Sequence, residues 1–169
     1  PYFKLMCGIV AIYNNQIKFD KDMRSKCLEM SKKVRHRGPD WSGIYSTDNA
    51  ILAHERLSIV DIKSGRQPLF SNDENIILTV NGEIYNHLDF RNSSEIQYKY
   101  QTKSDCEVII PLYKKYGCDL LNHINGIFSF FIYNKSDNSF FVARDPIGVI
   151  PLYMGNDDNG TYYFSSEMK

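Results

Sequence analysis

Neither sign of charge is in excess: 20 basic residues face 20 acidic ones. That balance removes the electrostatic argument for binding nucleic acid or an anionic membrane. Cysteine is scarce and badly spaced for metal. The four, Cys7, Cys27, Cys106 and Cys118, include no CxxC pair and no alternation with histidine at zinc-ligand spacing. The four histidines (His36, His54, His87, His123) are scattered, so no metal site is expected. Unpaired thiols of this kind fit a reducing, cytoplasmic compartment. No run approaches the roughly 20 apolar residues that cross a bilayer. Lys4 followed by LMCGIVAIY imitates the charged and apolar parts of an export signal, but NNQIKFD follows it with no small-residue cleavage site. HRGPDWSG looks Gly-rich, yet it lacks the GxxxxGK[ST] spacing of a phosphate cradle. Internal repeats and low-complexity tracts are missing as well.

What is present suits one packed domain. With 169 residues and a 43% hydrophobic share, the chain is long enough to bury roughly two thirds of its unfolded surface. From Gly8 to Tyr13 the residues are apolar or aromatic and end at Asn14 and Asn15, which predicts a buried strand and a turn. After Asp20, the residues Met23, Cys27, Met30 and Val34 recur at helical spacing, with Asp22 early and Lys32, Lys33 and Arg35 late, as the helix dipole favours. HRGPD ends that helix. Segments 43–46, 50–55 and 76–80 predict three short strands. Ser104 and Glu107 have the SxxE spacing of a capping box and predict a second helix running to Tyr116 and stopping at Gly117. Pro111 inside it predicts a kink, because proline removes a helical hydrogen bond. Beyond Gly126, FSFFIY, FFVARD, PLYMG and TYYFSS alternate with the hairpin turns NKSDNS and NDDNG. Helices early and antiparallel strands throughout predict an α+β layered domain. The abrupt end at SSEMK suggests that the natural polypeptide continues.

Three polar stretches, HRGPDWSG, HERLSIVD and NGEIYN, interrupt the strand patterns and are read as functional loops, with SDCEV opening a helix as a fourth. Their side chains form an inventory. Asn81 and the Gly82 amide supply two donors, Arg56 suits a carboxylate, and Glu83 with Asp105 suits an ammonium. An α-amino acid with an amide side chain matches all three. Attack on its amide needs a nucleophile and a base. A cysteine thiol near pKa 8.5 is mostly protonated at neutral pH, whereas the α-amine of a chain-terminal cysteine, near 7.7 to 8, is a base within reach of its own sulfur. Cys27 and Cys118 are read as structural, and Cys106 in the capping turn is not expected to be a second nucleophile. His36, His54 and His87 are read as structural hydrogen-bonding residues. Trp41 and Tyr85 are either packing aromatics or pocket walls.

The motifs MCGIVAI, RHRGPDWSG, AHERLSIVD, VNGEIYNH, SDCEVI, ARDPIGVIPLY and SSEMK, in that order, resemble the glutaminase half of the glutamine-hydrolysing asparagine synthetases, which are class II (N-terminal nucleophile) glutamine amidotransferases. The resemblance covers the chain from Cys7 to Lys169. It implies a four-layer αββα sandwich of two antiparallel sheets. It also implies that Cys7, once Met6 is removed, is the nucleophile and its amine the base, with Asn81 and Gly82 as the oxyanion hole. Arg56 would hold the glutamine carboxylate and Glu83 and Asp105 its ammonium, while the backbone of Leu57, Ser58, Ile59 and Val60 lines the pocket. Residues 1–6 would then be an extension, added or unprocessed, that blocks the amine and leaves the chain as written a poor glutaminase. No cofactor is expected in this domain. ATP and Mg²⁺ would belong to a synthetase domain missing from these residues, which would convert aspartate to asparagine with the released ammonia. The expected partners are L-glutamine and that synthetase domain, with a homodimer left open. Two alternatives stand beside this reading: the glutaminase of another class II amidotransferase, and a non-catalytic glutamine-binding module whose Cys7 stays blocked.

Overall fold

Successive residues of the first strand face two different apolar layers. In a computed structural model, which describes residues 6–57 and 66–169, strand β1 (Gly8–Tyr13) is buried along its whole length. Val10 and Ile12 join one core cluster, with Cys27, Val34 and Ile51, while Ala11 and Tyr13 join another, with Leu52, Ile77, Phe131 and Phe164. An alternating strand would have shown polar residues on one side. This one is covered on both, so its sequence is a continuous apolar run.

Helix α1 (Lys21–Val34) supplies the outer cover of β1. Asp20 caps it, accepting from Met23 N at 2.9 Å, and the chain leaves it through a 3-10 turn at Arg35–Arg37. The strands β2 (Trp41–Ser46) and β3 (Ala50–Arg56) follow. A two-residue strand β4 (Leu69–Phe70) and the long β5 (Ile76–Ile84) come next, then a short helix α2 (His87–Arg91). Helix α3 (Ile109–Tyr116) precedes β6 (Gly126–Asn134), β7 (Ser139–Arg144), β8 (Tyr153–Asn156) and β9 (Tyr162–Ser165). Five strands form one sheet in the order β2-β3-β1-β9-β8 and four form the other, β4-β5-β6-β7; every pairing is antiparallel.

Three apolar layers separate four structural ones. Between the sheets lie Ala11, Leu52, Ile77, Phe131, Tyr133 and Phe164. Outside the second sheet, Leu78, Val80, Phe130 and Ile132 pack against Val108 and Ile110 of the helical segment. The result is an α+β sandwich, the αββα arrangement of the N-terminal nucleophile hydrolases.

Several local expectations are corrected. Residues 81–84, read as a loop, are the second half of β5 and pair one by one with β6, from Asn81↔Ser129 to Ile84↔Gly126. The strand expected at 50–55 runs on to include Arg56, and the one expected at 43–46 begins two residues earlier, at Trp41 and Ser42. Ladder hydrogen bonds come from the backbone, which is indifferent to side-chain polarity. The capping box at Ser104 does not form. Glu107 instead accepts from Gln101 N at 2.7 Å, Thr102 N at 2.8 Å and Thr102 Oγ1 at 2.7 Å, tying down the preceding loop. The helix accordingly starts as a 3-10 turn at Asp105–Val108 and becomes α-helical at Ile109. Pro111 therefore falls in the first turn of α3, where its missing N–H costs little. Gly117, with φ 57°, ends α3 as expected. Cys118, read as structural, is exposed. Among the described residues no helix is long and apolar enough to cross a membrane.

Candidate active site

The apolar layer between the sheets turns polar at one end. On β3 the inward side chains continue from Ala50 and Leu52 to His54 and Arg56 at period two, and on β5 from Ile77 to Thr79 and Asn81. His54 Nδ1 meets Thr79 Oγ1 across the gap at 3.1 Å. Arg56 and Asn81, 5% and 2% exposed, stand one step further along their strands. Asn81 Nδ2 is buried and has no hydrogen-bond partner among the described residues. A donor buried without a partner is costly unless something else receives it.

Cys7 lies at the start of β1 in this polar end. Leu57 N donates to Cys7 Sγ at 3.3 Å, and the thiol lies 3.6 Å from Leu57 O as donor. The chain end of β3 thus grips the sulfur from both sides. Burial pushes the Cys7 thiol above its ordinary pKa; the Leu57 amide and the positive charges of Arg56 and Arg37 pull it down by less. At neutral pH it is a thiol, and it needs a base to become a nucleophile.

Arg37 was not singled out in the sequence. Its Nε donates to Cys7 O at 3.1 Å and its Nη1 to Glu167 Oε1 at 3.1 Å. Glu167 also receives His36 Nε2 at 2.9 Å and Lys169 Nζ at 2.8 Å. Burial acts to raise the Glu167 carboxyl, but Lys169, Arg37 and His36 together hold it down, to about 2. Beside it, Ser166 Oγ accepts from Ile9 N at 3.0 Å and Ser166 N donates to Ile9 O at 3.0 Å. The motifs RHRG and SSEMK, whose Arg37 and Glu167 are 130 residues apart in the chain, therefore act together to fix the backbone that carries Cys7. Gly38 completes this support, since a Cβ there would strike the Glu55 carbonyl.

The donor pair and the acidic residues come from the second sheet. Gly82 has φ 144°, and a Cβ on it would strike the Ile127 carbonyl, so only glycine fits. Asp105 Oδ2 accepts from Ile84 N at 2.7 Å, which seats the carboxylate against the end of β5 close to Glu83. The Cys106 thiol is within electrostatic reach of Cys7, Asp105 and Glu83, which brings the contributions of the two sheets to one place. Of the expected site residues, the structure thus assembles Cys7, Arg56, Leu57, Asn81, Gly82, Glu83 and Asp105 at one end of the sandwich. Ser58, Ile59 and Val60 lie outside the described residues. Trp41 and Tyr85 do not join the assembly in the same way: Trp41 lines a separate cleft with Gln67, Gln101 and Glu107, and Tyr85 is exposed. Gln67 was also missed; its amide donates to Val80 O at 2.9 Å and accepts from Val80 N at 2.8 Å, bracing β5 beside Asn81.

A profile described as the glutamine amidotransferase domain matches residues 6–169. The chain belongs to the glutamine amidotransferase family. This amidotransferase domain is 50% identical over 165 residues to asparagine synthetase B (glutamine-hydrolysing) of Escherichia coli K12, covering 97% of the chain and 29% of that relative. It is 51% identical over 166 residues to a probable glutamine-hydrolysing asparagine synthetase of Dictyostelium discoideum, again 97% of the chain and 30% of the relative. Asparagine synthetase 1 of Arabidopsis thaliana matches at 49% over 168 residues, 97% and 28%. The amidotransferase domain therefore spans less than a third of the length of the relatives it matches.

Proposed function

We propose that this domain hydrolyses L-glutamine to glutamate and ammonia through a thioester on Cys7, in the form of the chain that begins at Cys7. The observation that carries the reading is a half-buried thiol held by the Leu57 amide and carbonyl next to Arg56. At the same end of the sandwich stand a buried amide donor without a partner among the described residues, Asn81 Nδ2, and a glycine with a positive φ, Gly82. Arg56 receives the substrate carboxylate, and Glu83 and Asp105 its ammonium. The Cys7 amine takes the proton of its own thiol. The sulfur then attacks the side-chain amide carbon, and Asn81 Nδ2 with Gly82 N stabilises the resulting oxyanion. Collapse expels ammonia, which carries off the proton, and leaves a γ-glutamyl thioester. Water attacks that thioester, the amine accepting its proton, and releases glutamate with the thiol restored.

In the sequence as written, Cys7 N is part of the peptide bond to Met6, and an amide nitrogen is not a base. Glutamate release is expected from a chain starting at Cys7, with a glutamyl adduct on Cys7 in an acid-quenched mass spectrum, and only trace release from the chain that keeps residues 1–6. Equal turnover by the two forms would refute the role of the amine. Glutamine binding without release by both would favour a binding module.

The length of the relatives supports a wider reading. We infer that the ammonia passes to a synthetase part of the same natural polypeptide, where ATP and Mg²⁺ activate aspartate for asparagine synthesis in the cytoplasm. The glutaminase domain itself needs no cofactor for the chemistry above, because every proton and electron pair is supplied by Cys7, glutamine and water.

A further inference from the structure

Strand β5 departs from regular geometry at Gly82, and something must hold it there. The φ of 144° is one that L side chains rarely adopt, and the ladder partner of Gly82, Phe128, gives its carbonyl to Asp145 N at 2.8 Å. Support comes from the opposite side, from two consecutive residues of the 3-10 turn at Asp105–Val108. The Cys106 thiol donates to Gly82 O at 3.5 Å, with Asp105 Oδ2 as a second acceptor in reach at 3.6 Å, and that same carboxylate oxygen already accepts from Ile84 N at 2.7 Å. The turn therefore grips the strand at two points, two residues apart. Cys106 is 3% exposed. Burial first, then the Asp105 carboxylate, raises its pKa well above the ordinary thiol value. It remains an S–H donor through the neutral range.

We propose that Cys106 is a positioning residue for the oxyanion hole: its S–H, bound to the Gly82 carbonyl, locks the Gly82 conformation from which the Gly82 N–H serves as donor. The proposal rests on the reading of Gly82 as that donor. It gives the second thiol of the site a role that needs hydrogen-bond donation and no nucleophilicity, which its burial under β5 suits. A residue that merely filled volume there would be replaceable by any small apolar side chain. A donor would not.

The test uses the chain beginning at Cys7 and the nearly isosteric pair Cys106→Ser and Cys106→Ala, with Cys106→Val filling the volume should the alanine cavity unfold the domain. Loss of the donor in the Ala and Val variants is expected to lower kcat roughly tenfold with KM changed by no more than about twofold. That is less than the 10²- to 10³-fold cost of removing an oxyanion donor outright. Cys106→Ser, which keeps a donor, is expected to restore kcat to within about threefold of the parent. An active parent with full kcat in Cys106→Ala and Cys106→Val, or with Cys106→Ser as slow as Cys106→Ala, overturns the positioning role and leaves the glutaminase reading standing. A parent that releases no glutamate overturns both.

Discussion

At the scale of single residues, buried groups decide the site. Arg56 is a guanidinium at 5% exposure, beside the thiol, and the carboxylate-receiving role proposed for it predicts a specific kinetic change. Arg56→Ala should raise the KM for glutamine by roughly 10- to 100-fold, the equivalent of one charge-assisted hydrogen-bond pair at about 1.5–3 kcal/mol, with a smaller effect on kcat. Steady-state kinetics that find KM unchanged would remove the role. His54 makes a second, pH-dependent prediction. Burial, and then the positive charge of Arg56, lowers its pKa from 6.5 to about 3. The unfolded chain therefore binds a proton at this position below pH 6.5 that the folded chain does not. Stability from neutral His54 is complete above about 6.5 and is lost as pH falls toward about 3, at up to about 1.4 kcal/mol per pH unit. Urea unfolding at pH 7 and pH 5 should show this loss in the parent and a shallower one in His54→Gln, which keeps a polar partner for Thr79 but does not titrate.

At the scale of elements, α1 is the part whose stability is most locally determined. Asp20 accepts from Met23 N and precedes a first turn that contains Asp22, while Lys32 and Lys33 occupy the last. Each feature satisfies or complements the exposed helix ends. Asp20→Ala is expected to lower the unfolding free energy by about 1 kcal/mol, measured as a lower denaturant midpoint at unchanged slope. Strand β5 differs, since its second half is polar and owes its form to β6. The 3-10 turn at Asp105–Val108 belongs with it, because its side chains serve the strand and not the helix it opens.

At the scale of the whole molecule, stability and site geometry depend on the same packing between sheets. Phe131 is fully buried at the centre of that layer, its ring 5.1 Å from Phe164 and 5.6 Å from Phe140. Residues of β5 and β6 on the same inward face reach the site from it: Thr79 to His54, and Asn81 opposite Ser129. Phe131→Ala should cost about 3–5 kcal/mol, seen by thermal or urea unfolding. Because separation of the sheets moves Asn81 away from Cys7, kcat should fall as well. A variant that lost this stability at full kcat would show that the donors are held by β5 alone.

The sequence by itself determined the elements whose physics is local: the doubly buried β1 from its apolar run, α1 from its 3.6-residue period and Asp20, the end of α3 at Gly117, and the hairpins after Gly126. It also supplied the chemical inventory, since Asn81, Gly82, Arg56, Glu83 and Asp105, the set proposed to receive the amide substrate, are legible from residue types and motifs. The tertiary structure decided which polar stretches are strands, and which groups meet. Leu57 reaches Cys7 across 50 residues and Glu167 reaches Arg37 across 130, and Glu107 leaves Ser104 for Gln101 and Thr102. No periodicity records such partners. They follow from sheet pairing and close packing, which bring distant segments together by burying surface that each segment alone would leave in water.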